Sequence, residues 1–178
     1  MSDATHSERY ERLAQRNFYD ELIALRDEQR RRSETAEVLI RGDELPWELN
    51  PQGLTRWYVA PTMDDVAANG LVVFTVKIAP GGRTGKQHHP GNILAYVWKG
   101  SAGYSVIDDE RHDWEQGAVI QVPLRATGST VQHFNVGDDD VELLFCTSNT
   151  MQALTVDRGS KFEQLEPCPE YAEATPSA

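Results

Sequence analysis

The chain has 178 residues, enough for one globular domain with some decoration. Its 28 acidic side chains against 17 basic ones leave a formal net charge of −11, which repels nucleic-acid phosphates and anionic lipid and argues against both as partners. A hydrophobic content of 39% supports one core. The longest apolar run, Ile93 to Trp98, is far short of the ~20 residues a membrane-spanning helix needs, and the opening MSDATHSERYERL lacks the apolar segment of a signal peptide. No membrane partner and a cytoplasmic location are therefore expected, with Cys146 and Cys168 as free thiols.

In chain order, Thr5 and Glu8 come first, at capping-box spacing. Tyr10, Leu13, Ala14, Phe18, Leu22 and Leu25 then recur mostly three and four residues apart, the period of an amphipathic helix. One helix is expected from Ser7 to the Arg30-Arg31-Arg32 run, where cations suit the negative end of the helix dipole. Its apolar stripe predicts packing on the outside of the following domain or across a subunit interface.

From Val38 onward the pattern is β. Strands are expected at Leu54–Ala60, Leu71–Ala79, Ile93–Trp98, Ala102–Ile107, Ala118–Val122, Thr130–Asn135 and Val141–Thr147. Turn signals such as Pro80-Gly81-Gly82, Lys99-Gly100 and Asp108-Asp109 separate them. Closely spaced strands without intervening helices predict an all-β sandwich or barrel. After Arg158 the apolar density falls, and the Pro- and Glu-rich end predicts an extended arm or disordered tail. The expected organisation is a helical extension over residues 1–37, a β-barrel over 38–158 and an acidic tail over 159–178.

The chemistry concentrates between Gly81 and Gly100, where a glycine-rich loop leads into Gln87, His88 and His89 and then an apolar strand. A second histidine-bearing strand, Val131-Gln132-His133-Phe134-Asn135, follows the Gly117 and Pro123 turns. Residues two apart on a strand share a face. That rule groups Gln87 with His89 on one strand and Val131 with His133 on the other.

These landmarks resemble the cupin superfamily, the small jelly-roll barrels also called double-stranded β-helices. The resemblance covers roughly residues 70 to 148. The glycine, HxH, glutamate and glycine of the first cupin motif correspond here to Gly82, Gln87-His88-His89, Ile93 and Gly100. The second motif corresponds to Gly117, Pro123, Val131 and Asn135. The resemblance therefore implies an all-β cupin barrel carrying an N-terminal amphipathic helix, with Gln87, His89, Ile93, Val131 and His133 facing inward. It also implies that of the usual three histidines and one glutamate only His89 is kept, with Gln87, Ile93 and Val131 at the other positions and His133 added.

The wider pattern looks like cupins related to gentisate- and hydroquinone-type ring-cleaving dioxygenases. That implies Fe(II), or another divalent metal, held by His89 and His133 with help from Gln87 or His88, and O₂-dependent cleavage of a dihydroxylated aromatic. A shifted register at the Gly81–Gly85 loop, or a β-bulge, would turn His88 inward. Tyr96, Trp98 and Val131 are the candidate substrate-binding residues, with Trp114 and Tyr104 as further aromatics. The alternative is a metal-free barrel whose histidines hydrogen-bond to each other, to Gln87 or to buried water. Such a cupin would bind a small molecule, or serve as the non-catalytic small subunit of a two-component hydroquinone-type dioxygenase. A small aromatic ligand is expected, together with a homodimer or a hetero-oligomer containing another cupin subunit.

Overall fold

The computed structural model describes residues 2–66, 68, 70–149 and 163–175. The chain divides into two compact units, Met1–Glu37 with Asp64–Ala67, and Val38–Met63 with Ala68–Ala178.

In the first unit the expected single helix is two: α1 (Ser2–Ala14) and α2 (Phe18–Thr35). The break has a local cause. Asn17 leaves helical geometry and caps α2, its side-chain oxygen accepting from the Asp20 N–H at 3.2 Å. Thr5 lies inside α1 rather than capping it. The apolar stripe is largely uncovered, since no residue of α2 is buried and Tyr10, Phe18, Leu22 and Leu25 are all exposed.

The second unit is a two-sheet antiparallel sandwich. Its strands are β1 (Glu48–Asn50), β2 (Gly53–Val59), β3 (Leu71–Ile78), β4 (Lys86–His89), β5 (Ile93–Lys99) and β6 (Ala102–Ile107). They continue as β7 (Glu110–Glu115), β8 (Val119–Val122), β9 (Ser129–Asn135), β10 (Val141–Ser148) and β11 (Glu163–Glu166). One sheet runs β1-β2-β3-β10-β5-β8 and the other β11-β4-β9-β6-β7. All seven expected strands are present to within one or two residues at each end. Strict alternation divides their side chains between two faces. Ile93, Ala95 and Val97 of β5, with Val141, Leu143 and Phe145 of β10, enter the core, and Leu94, Tyr96 and Trp98 leave it.

Four strands, β1, β4, β7 and β11, lie outside the expected set, and β7 and β11 escape the sequence pattern because they bury almost nothing. In β7 (ERHDWE) only Trp114 is buried, and β11 (EQLE) has no buried residue. The tight turn from β6 into β7 is made by Asp108 and Asp109, both at positive φ (49° and 69°), the geometry of a hairpin turn that Asp tolerates better than most residues. The proposed barrel boundary at residue 158 lies outside the described residues. Beyond it, β11 adds to the free edge of β4, and a short helix α3 (Pro169–Ala174) follows. Cys168, expected in a polar tail, is fully buried, with its N–H donating to Pro51 O at 3.0 Å. Among the described residues no helix is long and apolar enough to cross a membrane.

Candidate functional site: a cavity with two histidines

The inner faces of β4 and β9 border a cavity lined by Gln87 and His89 from β4 and by Val131 and His133 from β9. Ile93, Phe74 and Phe145 close its apolar side. The five residues that alternation turned inward therefore all line one space. That space is small. The centres of water-sized spheres occupy about 20 Å³, space for a few small atoms beyond a single water. Among the described lining residues there is no Lys, Arg, Asp or Glu.

The register fixes how the polar groups are distributed. Gln87 lies opposite Val131 and His89 opposite Ser129. His133 is four residues along β9 from Ser129, which separates the two histidine backbones by about 13 Å along the strand direction. Gln87 stands between them, two residues from His89 on its own strand and diagonal to His133 across the ladder.

Each histidine has one ring nitrogen already engaged. Gly91 sits at φ 102°, where its N–H turns back and donates to His89 Nδ1 at 3.0 Å. Only glycine fits there, since a Cβ would fall 2.0 Å from the Pro123 carbonyl oxygen. At the other end, His133 Nδ1 meets Ser105 Oγ at 2.7 Å, and Trp114 Nε1–H donates to that same oxygen at 2.9 Å. Trp114 can lie close because its cross-strand partner is Gly103, where a Cβ would come within 2.1 Å of the indole. Thr84 pins the His133 backbone, accepting its N–H through Oγ1 at 3.0 Å and donating its own N–H to the His133 carbonyl at 2.9 Å. Both imidazoles are buried and held neutral. Burial lowers His89 below the ordinary value and pushes His133 from 6.5 down to about 4.

The Gln87 amide is oriented by a network from the tail. Gln164 Nε2 donates to the carbonyls of Lys86 at 3.1 Å and Glu166 at 2.7 Å, so its Oε1 is the acceptor that receives Gln87 Nε2–H at 3.1 Å. Gln87 Oε1 is left without a protein partner among the described residues.

Other expected site residues lie elsewhere. His88 occupies the opposite face of β4, half-buried beside Gly128, so no register shift turns it inward. Tyr96 and Trp98 project from the outer face of β5, 40% and 58% exposed and edge-on at 6.5 Å. The even spacing that puts Ala95 and Val97 in the core sends them out, which removes them from the cavity. Tyr104 is sandwiched between Phe134 (4.6 Å) and Arg111 (3.8 Å), and Trp114 is committed to Ser105. Ser105 was missed by sequence reasoning, although a serine alternating with Gly103 and Ile107 on an inward face is a readable signal. Gln164 offered none, because its role depends on β11 pairing with β4.

The donor set does not fit a mononuclear iron site. Such sites commonly combine two histidines and a carboxylate on one face of the ion. Among the described residues no three His, Cys, Asp or Glu side chains gather closely enough to hold a metal. Val131 offers no lone pair. A neutral imidazole whose Nδ1 accepts a hydrogen bond carries its proton on Nε2, so His89 has no lone pair left to give.

The family model described as Cupin domain matches residues 74–147. Among curated proteins none matches the chain. A solved structure of salicylate 1,2-dioxygenase from Pseudoaminobacter salicylatoxidans superimposes with a TM-score of 0.52 at 21% identity, over 67% of this chain and 31% of that one. This chain thus spans about a third of that enzyme's length. The polyketide cyclase RemF from Streptomyces resistomycificus gives a TM-score of 0.56 at 15% identity, over 79% of this chain and 94% of that one. A cupin-like protein from Thermotoga maritima gives 0.50 at 19% identity, over 80% and 99%. At these identities the likeness is one of fold. Residues 74–147 are thus similar to a cupin domain, and the two-sheet unit has a cupin-type fold in common with a salicylate 1,2-dioxygenase.

Proposed function

We propose that this protein is a metal-free cupin that binds a small polar molecule in its barrel. The observation that carries this reading is the donor set at the cavity: a valine opposite Gln87, no carboxylate among the described lining residues, and a His89 whose Nδ1 already accepts the Gly91 N–H. Iron-dependent cleavage of a dihydroxylated aromatic, the activity implied by the resemblance to gentisate- and hydroquinone-type cupins, needs donors that these residues do not supply.

A second reading is favoured by a separate observation. Leu94, Tyr96 and Trp98 on β5 and Val119 on β8 expose a contiguous apolar patch on the outer sheet, with Tyr96 directly opposite Val119. Patches of this kind mark protein contacts, and they support a role as the non-catalytic small subunit beside a metal-bearing cupin. Both readings agree that this barrel holds no catalytic metal. Metal analysis of the protein purified after growth in iron- and zinc-supplemented medium tests that shared claim. The expected content is far below one ion per chain. One ion per chain, lost in His89→Ala, overturns it.

A further inference from the structure

Resting on the metal-free reading, the hydrogen-bond accounting assigns a tautomer to each buried histidine and, with it, a ligand class to the cavity. The Gly91 N–H can only donate, so His89 Nδ1 is an acceptor and its proton is on Nε2. Ser105 Oγ is fully buried and receives Trp114 Nε1–H. Its own hydroxyl proton needs an acceptor, and the one at hand is His133 Nδ1 at 2.7 Å. Every group in the chain Trp114, Ser105, His133 is satisfied only when Trp114 donates to Ser105 and Ser105 donates to His133. His133 then also carries its proton on Nε2. Less than a tenth of either histidine is exposed, and both line the cavity. Between them Gln87 presents a free carbonyl oxygen, held in that orientation by Gln164.

We propose that the barrel interior is a hydrogen-bonding site for a small uncharged group carrying a carbonyl oxygen together with an N–H or O–H, a primary amide or an un-ionised carboxylic acid. An imidazole Nε2–H donates to the carbonyl oxygen and Gln87 Oε1 accepts the ligand's hydrogen. A full negative charge is disfavoured, because neutral donors alone do not offset the loss of its hydration and no described lining residue is cationic. The volume admits only the head of a molecule or a ligand of a few heavy atoms.

Long-range ¹H–¹⁵N correlation spectra of the labelled full chain at neutral pH read the tautomers directly. Both His89 and His133 should show a protonated Nε2 and an unprotonated Nδ1. A protonated Nδ1 in either, with no metal bound, overturns this inference while leaving the metal-free reading intact. Titration with formamide should shift His133 or His89 saturably, and formate, its charged counterpart of similar size, should bind at least tenfold more weakly. Equal or tighter binding of formate, or no binding of either probe, overturns the ligand class. One equivalent of Zn²⁺ should leave both imidazoles unshifted. A joint shift overturns the inference and the metal-free reading together. In Ser105→Ala the single-tautomer signature of His133 should be lost while that of His89 persists, and an unchanged His133 overturns the assignment to Ser105.

Discussion

The two ends of the cavity solve one problem with different chemistry. At the His89 end the partner of Nδ1 is a backbone N–H, presented by a glycine at positive φ wedged against Pro123. At the His133 end it is a side-chain hydroxyl, itself held by an indole N–H. A backbone amide donates and does nothing else, so the His89 tautomer is built into the turn. A hydroxyl can reverse its proton, so His133 depends on the whole Trp114–Ser105 chain remaining satisfied. On the tautomers proposed, the two histidines offer N–H groups rather than lone pairs to the cavity because of what stands behind each of them.

The sharpest way to break the comparison is at the turn. Gly91→Ala forces a side chain into positive φ and into the Pro123 carbonyl. It should cost about 3 kcal/mol or more in urea unfolding. Wild-type stability would show that the turn is not a fixed donor.

The next largest effect is pH dependence at the other end. His133 is depressed from 6.5 to about 4 in the folded state, so the unfolded chain takes up a proton first as the pH falls. This contribution to stability is present above pH 6.5 and is lost progressively down to about pH 4, on the order of 3 kcal/mol in all. His89 is depressed in the same direction and adds to the loss. His133→Gln should flatten the stability–pH slope across that interval. An unchanged slope would mean that His133 is not buried neutral.

The smallest effect separates the inner face of β5 from its outer face. Trp98 is 58% exposed where its neighbour Val97 is fully buried. Trp98→Arg should change monomer stability by less than about 0.5 kcal/mol. If the outer patch docks a second cupin subunit, the same variant should weaken association, read as mass in solution over a dilution series. A large loss of stability would place Trp98 in the core instead.

Much of the fold was legible because jelly-roll strands bury one face each. Alternation in LVVFTVKI and ILAYVWK announces both the strand and its inward residues, and the inward set Gln87, His89, Ile93, Val131 and His133 follows from the same rule. Strands such as ERHDWE and EQLE stayed hidden, because a strand held mainly by its neighbour's backbone needs no apolar pattern. The helix break at Asn17 was in principle readable as an N-cap, but an apolar period that continues across it masked the signal.

By itself the sequence determined which residues face the interior, and the resemblance to cupins implied that Gln87, Ile93 and Val131 stand where a histidine, a carboxylate and a further histidine are usual. What those interior groups do was decided by tertiary contacts. The tautomer of His89 depends on the φ of Gly91, that of His133 on Ser105 from β6 and Trp114 from β7, and the orientation of Gln87 on a strand 77 residues further along the chain. Side-chain direction is a local property of a strand. The assignment of a proton to one ring nitrogen is settled by whichever donor or acceptor the rest of the fold brings within 3 Å.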